Sequence, residues 1–221
     1  MNKKFVKAAA SLVLFVLTIV LVKTVDVAAV GPANTQIGLS HLNAGFHNLI
    51  GTHMFLYQAT NLLGFWAILC GCIFAVIGVV QLVQRKSLAK VDKKILALGG
   101  LFVVTGILYV LFEKVIINCR PILMEGETVP EASFPSSHTV LAVVIFGSIA
   151  MILRDYLNDK KLASTLQNVC LVLMAVAVLG RLFSGVHWLT DILGGLFLSF
   201  ALLQAFSGVL DKLGEKTAGP E

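Results

Sequence analysis

Charge is what this chain has least of. Only 13% of its 221 residues are Asp, Glu, Lys or Arg, whereas a soluble domain carries about a quarter. That scarcity excludes a disordered chain, a coiled coil and an ordinary cytosolic enzyme. Low-complexity linkers and internal repeats are absent as well, so residues 1–221 read as one membrane-embedded domain. The 4 cysteines form no framework. Cys70 and Cys72 are two apart on one predicted helix and face different directions, Cys119 and Cys170 lie at different depths, and no metal-ligand spacing occurs. What is abundant is apolar: 57% of the chain, with a mean hydropathy of +0.91. Most of it must lie in lipid.

Charge-free runs locate the spans. A helix needs roughly 20 mainly apolar residues to cross the hydrocarbon core. Such runs occur at Ala8–Val22, Val27–Gln84, Ile95–Phe112, Ala132–Leu153, Leu162–Gly180 and Ile192–Leu210. In the second, Gly31–His53 reads as an external segment and Leu56–Val83 as the helix. Backbone groups in lipid must be satisfied internally. The expected fold is therefore all-α, a polytopic bundle of six transmembrane helices with a short external amphipathic segment. Within that segment Leu39, Leu42, Phe46, Leu49 and Ile50 recur at helical spacing, which suits a helix resting on the interface beside a lipid entrance. Its histidines His41, His47 and His53 do not share a face, so a metal site there is not expected. Thr217–Glu221 reads as a short disordered tail.

The few cations sort by side. Lys3, Lys4 and Lys7 precede the first helix. Arg85, Lys86, Lys90, Lys93 and Lys94 lie between the second and third, Arg154, Lys160 and Lys161 between the fourth and fifth, and Lys212 and Lys216 follow the sixth. Lys23, Lys114, Arg120 and Arg181 fall on the other side. This asymmetry places both termini in the cytoplasm. It also accounts for the net charge of +5 as topology and excludes nucleic acid as a partner. Met1–Lys7 followed by Ala8–Val22 has the form of a signal peptide too, but Val27-Ala28-Ala29 is a poor cleavage site, and a retained helix is the expectation.

Ionisable residues within or beside membrane helices are functional candidates by default, and here they gather on the outer side. Lys114 and Arg120 flank the end of the third helix. Pro135-Ser136-Ser137-His138 opens the fourth, Arg181 closes the fifth, and His187 and Asp191 open the sixth. A helix start offers free N–H groups to an anion. Arginine forks match phosphate oxygens. His187 and Asp191, four apart, share a helix face, so the carboxylate can orient the imidazole as a nucleophile or base. His138 can serve as proton donor. Each feature also has a plain structural reading: Ser136 or Ser137 as a helix cap, the arginines as headgroup anchors, and His187 with Asp191 as a hydrogen-bonded pair. Their coincidence at one depth favours a phosphoryl site.

The same residues carry a resemblance. The stretch Lys114–Asp191 resembles the type 2 phosphatidic acid phosphatase family of membrane lipid phosphatases, which is related to vanadium haloperoxidases. That family shows Lys, six residues, Arg-Pro; then Pro-Ser-Gly-His; then Ser-Arg, five residues, His, three residues, Asp. Here the motifs read Lys114, five residues, Arg120-Pro121; Pro135-Ser136-Ser137-His138; and Gly180-Arg181, five residues, His187, three residues, Asp191. Ser137 stands for Gly and Gly180 for Ser. Lys114 is one residue too close to Arg120, with Glu113 in its place, and a one-residue shift turns a helical side chain by about 100°. Lys114 reaches the site only if the helix has ended before it.

The resemblance implies a mechanism without a cofactor. His187 attacks phosphorus to form a phosphohistidine, Asp191 stabilises its charged form, and His138 protonates the leaving group. Arg120, Arg181, Ser136, Ser137 and Lys114 bind phosphoryl oxygens, with no metal. The implied partner is a lipid phosphate of the undecaprenyl diphosphate, phosphatidylglycerol phosphate or phosphatidic acid class, met at the outer face of the cell membrane among the membrane lipids. Two alternatives stand beside hydrolysis: transfer of the phosphoryl group to another acceptor through the same histidine, and a non-catalytic lipid transporter or scaffold. Glu125, Glu127 and Glu131 read as a solvated loop face, and Trp188 as an interface anchor. The oligomeric state has no sequence signal.

Overall fold

The computed structural model describes residues 2–217. Its helices are α1 (Lys3–Thr24), α2 (Ser40–Ile50), α3 (Met54–Arg85), α4 (Lys93–Lys114), α5 (Ser137–Tyr156), α6 (Lys160–Phe183) and α7 (Leu189–Thr217), with 3-10 turns at Pro32–Asn34 and Leu88–Lys90. All but α2 are long and apolar enough to cross a membrane, and each contains one of the charge-free spans read from the sequence, except that α5 begins at Ser137, five residues into the run Ala132–Leu153. Of the expected tail, Thr217 ends α7, and Ala218–Glu221 lie outside the described residues.

The bundle is built around α5. Its apolar side chains lie on every face, as those of a central helix must, and Val144, Phe146, Ile149 and Ile152 are buried. It packs against α3, α4, α6 and α7, while α1 lies along α7. Lipid tails are as apolar as leucine, so small residues that allow close approach matter more than hydrophobic drive. Gly147 of α5 receives Leu203 of α7, where an added Cβ would stand 2.7 Å from a leucine methyl. The peripheral helices turn Phe55, Phe65, Val103, Ile107 and Val172 outward, towards the lipid that their composition demands.

The spans alternate in direction, and their starts differ by end. At the end holding the amino terminus, α1, α4 and α6 are each capped by their own side chain. Asn2 accepts from the Lys4 N–H, Asp92 from the Lys94 N–H, and Asp159 from the N–H groups of Lys161 and Leu162. At the opposite end α3 and α5 begin at His53 and Ser136 with no side-chain cap. That end is covered by two connections. The segment before α2 folds back through an Ala28–Ile37 bridge, and Asp26 closes α2 by accepting from Ser40 Oγ at 3.0 Å and the His41 N–H at 2.8 Å.

Between α4 and α5 a two-armed loop brings Cys119 opposite Ala132. In it the Arg120 N–H donates to the Glu131 carbonyl at 3.0 Å and the Ser133 N–H to the Asn118 carbonyl at 2.9 Å.

Helix α2 does more than rest on an interface. It turns Leu42 and Leu49 outward and buries Ser40 and Asn43. Asn43 Nδ2 donates to the Gly38 carbonyl and to Thr190 Oγ1, and its Oδ1 accepts from the Thr190 N–H at 3.2 Å. An asparagine 147 residues away thus serves the first turn of α7, the turn that follows His187.

Candidate phosphoryl site

The uncapped start of α5 meets the α4–α5 loop around a cavity of about 490 Å³. Arg120, Ser137, His138 and His187 line its polar end, and Leu108, Phe112, Leu141 and Leu198 line its apolar wall. Of the residues proposed from the sequence, these four reach the cavity itself. Arg181, Ser136 and Asp191 sit directly behind it, fully buried.

His187 lies between α6 and α7. Its loop is held close by Gly185, whose φ of +69° suits glycine; a Cβ there would collide with the Gly51 carbonyl. The His53 N–H donates to the Ser184 carbonyl at 2.9 Å and ties the same loop to α3. The imidazole is 3% exposed, and neither ring nitrogen completes a hydrogen bond. Burial, and then the positive charges of Arg120 and Arg181, hold its pKa well below the ordinary histidine value. The free ring is therefore neutral at neutral pH and keeps a lone pair.

Asp191 stands beside it but is less free than the sequence suggests. Its Oδ2 is 3.5 Å from His187 Nδ1, the outer limit of hydrogen-bond range, and already accepts from the Trp188 N–H at 3.0 Å. Asn118 Nδ2 donates to Oδ1 at 3.4 Å. The carboxylate is near enough to stabilise a charged imidazole, and it also closes the first turn of α7.

Arg181 is 0% exposed and is gripped by α3. Its Nη1 donates to Thr60 Oγ1 and Asn61 Oδ1, both at 3.0 Å, and to the Tyr57 carbonyl at 3.4 Å. Its guanidinium lies 4.7 Å from the centre of the Tyr57 ring. Nε and Nη2 have no partner. One edge of the fork is spent on anchoring, and the other is available to an anion. Gly180 takes its meaning here: a Cβ at that position would stand 2.7 Å from the Thr60 methyl. The hydroxyl missing before the arginine leaves room for a hydroxyl supplied by α3.

Ser136 occupies the cap position of α5, yet its side chain caps nothing. It accepts from Thr139 Oγ1 at 3.0 Å, and its N–H donates to the Asp191 carbonyl. The first N–H groups of α5, from Ser137 on, have no partner within the helix and belong to the wall that faces the cavity. His138 lies against Gly64 of α3, and its Nδ1 is unpartnered.

Three sequence expectations change. Lys114 is exposed and outside the cavity lining, and Glu113 is in it. The reason is that α4 remains helical through Lys114, so the one-residue shift keeps its full rotation. Glu131 and Glu127 are exposed, as a solvated loop face requires, and they also line the cavity; Glu131 Oε2 lies 2.7 Å from Arg120 Nε. Trp188 is not an interface anchor: it is 2% exposed, and its Nε1 donates to the Cys119 carbonyl at 2.6 Å, which binds the α4–α5 loop to the His187 loop. The α2 segment contributes nothing to the cavity lining. It stands behind the His187 loop, where His47 meets Trp188 edge-on. All four cysteines are free, and among the described residues no three His, Cys, Asp or Glu side chains gather as metal ligands.

Sequence reasoning missed Tyr57, Thr60 and Asn61, the residues that hold Arg181, and Asn43 and Asn118, which serve the start of α7. Their partners lie far off in the chain, and no local spacing announces them.

Comparison with known proteins gives the family and the fold. Phosphatidylglycerophosphatase B of Bacillus subtilis (strain 168) is 33% identical over 85 residues, covering 37% of this chain and 40% of that enzyme. The chain thus matches well under half the length of that relative. The crystal structure of a transmembrane PAP2 type phosphatidylglycerolphosphate phosphatase from Bacillus subtilis superimposes with a TM-score of 0.61 at 19% identity, covering 93% of this chain and 96% of that one. The helical bundle is therefore a shared fold, and the chain is a multi-pass membrane protein. The PAP2 superfamily model matches residues 40–214, a range that takes in α2, the cavity and every site residue described above, and by that match the chain belongs to the PAP2 superfamily.

Proposed function

We propose that this protein is an integral membrane phosphatase that removes the terminal phosphate of a membrane lipid through a phosphohistidine intermediate. The observation that carries the reading is a set of buried polar atoms left without an aligned hydrogen bond around one apolar-walled cavity: both ring nitrogens of His187, Nδ1 of His138, Nη1 of Arg120, and Nε and Nη2 of Arg181. Buried donors are paired in nearly every structure. A cluster of unpaired ones fits a ligand rich in acceptor oxygens, and the apolar wall suits a lipid tail.

In this reading the neutral His187 attacks phosphorus, forming the P–N bond as the P–O bond to the lipid breaks. His138 gives its proton to the departing oxygen. Water then attacks phosphorus, His138 takes the water's proton, and the P–N bond breaks to release phosphate and neutral His187. Arg120, Arg181 and the N–H groups at the start of α5 face the charge that builds on the phosphoryl oxygens, so stabilisation comes from groups already in place and needs no metal. Ser136 and Ser137 belong to that wall, and Lys114 is not included. Asp191 offsets the charge on His187 while it carries phosphorus. In this reading the end that carries thirteen cations faces the cytoplasm, with both termini, and the cavity faces the outer leaflet, as the charge asymmetry favours. The relatives named for phosphatidylglycerophosphate make that lipid the first substrate to assay, beside phosphatidic acid and undecaprenyl diphosphate.

The test is phosphate release by the full chain purified in detergent, across that panel, with a chelator present. Turnover by the native protein is expected to persist in chelator, and His187→Ala is expected to lose at least about a thousandfold in kcat. Full turnover by His187→Ala would overturn the assignment, and loss of native turnover in chelator would overturn the metal-free mechanism. Phosphorylated acceptor in place of free phosphate would make the protein a phosphotransferase.

A further inference from the structure

The geometry points to Glu131 as a resident counter-ion on Arg120, one that an incoming phosphate must displace and that thereby keeps weakly charged lipid headgroups from filling the cavity. The inference rests on reading the cavity as a phosphate site, and it concerns a residue outside all three family motifs.

Arg120 and Glu131 stand on the two arms of the α4–α5 loop. The backbone pairing between the arms sets them at one level and makes no use of the carboxylate, so it survives when that side chain swings away. The two partners differ in freedom. The Arg120 side chain is 11% exposed and the Glu131 side chain 43%. The arginine is fixed in the wall, while the glutamate has water to move into. Their contact is close, at 2.7 Å, but it is a contact of charges: Nε and Nη1 of Arg120 remain without an aligned hydrogen bond. A phosphate can take two parallel N–H bonds from a guanidinium. Glu131 therefore holds the place of an anion, with a weaker grip than phosphate would have.

Charge gives this placement a consequence. A carboxylate carries one negative charge, and so does the phosphodiester of an ordinary phospholipid. A terminal phosphomonoester carries about 1.5 to 2 at neutral pH. Exchanging Glu131 for a diester gains no charge at Arg120, whereas exchanging it for a monoester does. The counter-ion lowers the affinity of every anion by a similar factor. In a membrane crowded with phosphodiesters, that empties the cavity of diesters and leaves the more highly charged monoester able to enter.

The test uses the full chain in detergent and two readouts. One is binding of inorganic phosphate, followed by phosphorus NMR without any turnover. The other is inhibition of short-chain lipid monophosphate hydrolysis by a short-chain phosphodiester lipid. Glu131→Gln keeps the shape and removes the charge. It is expected to tighten phosphate binding about two- to fivefold, to lower KM, and to make the diester inhibit where it did not before. Glu131→Asp, which keeps the charge, is expected to stay near the native values, and Glu131→Ala should repeat the Gln result if Gln folds poorly. Unchanged or weaker phosphate binding in Glu131→Gln, with native hydrolysis intact, would overturn the counter-ion role alone. A native protein that neither binds phosphate nor turns over would overturn the phosphate site and this inference with it.

Discussion

The two ends of the bundle solve the same problem differently. Every helix start leaves backbone N–H groups unpaired. At the far end Asn2, Asp92 and Asp159 each satisfy their own helix from the adjoining residues. At the site end α5 has no such cap, and α7 borrows one from Asn43 across the fold. Local caps make an end self-sufficient and chemically closed. Their absence at α5 leaves donors open beside Arg120, Arg181 and two histidines. The lesson is that the site is marked as much by capping left undone as by the charged residues that surround it.

The largest test of the contrast falls on Arg181. Lysine keeps the charge but has no fork, so it cannot both hold Thr60 and Asn61 and offer a second edge to phosphate. Arg181→Lys is expected to lower kcat/KM about a hundredfold, as loss of a key transition-state donor does, while the protein still purifies as a folded species with a similar thermal midpoint. If turnover survives unchanged, the open edge of Arg181 is not part of the site.

That residue also shows how far the sequence could be read. Arg181 was visible because charges are rare in the spans and because it stands six residues before His187. The spans and their alternation were legible for the same reason: lipid forces long uncharged runs. What holds Arg181 was not legible. Thr60 and Asn61 are 121 and 120 residues away, on a helix whose other residues are chosen for lipid, and a polar residue there carries no hint of its partner. Trp188 was misread for a related reason. Its interface preference is a tendency of tryptophans at large, whereas its indole N–H finds a carbonyl 69 residues away. The contact of Glu131 with Arg120 was not legible either, because loop composition does not reveal that the two arms pair.

A smaller effect separates the ends by kind. Asp92 caps α4 at the far end and also accepts from the Tyr156 hydroxyl at 2.7 Å. Asp92→Ala is expected to cost about 1 kcal/mol of stability for the lost cap, read as a lower thermal midpoint, with kcat/KM unchanged. Ser136→Ala removes a side chain that caps nothing, so it should leave the thermal midpoint nearly alone and lower turnover. Equal losses of stability in the two variants would erase the distinction between a closed end and an open one.

The smallest expected effect is at Lys114, and it tests whether a motif is matched by spacing or by geometry. The lysine has the right type and nearly the right place in the sequence. Helix α4 nonetheless carries it past the cavity and sets Glu113 there instead. A flexible ammonium on the exposed side adds only a screened, long-range attraction for an anion. Lys114→Ala is therefore expected to change kcat/KM for a lipid monophosphate by less than about twofold at physiological salt, where exposed charges interact weakly. A tenfold rise in KM would mean that the last turn of α4 unwinds when substrate binds and brings the lysine to the phosphate.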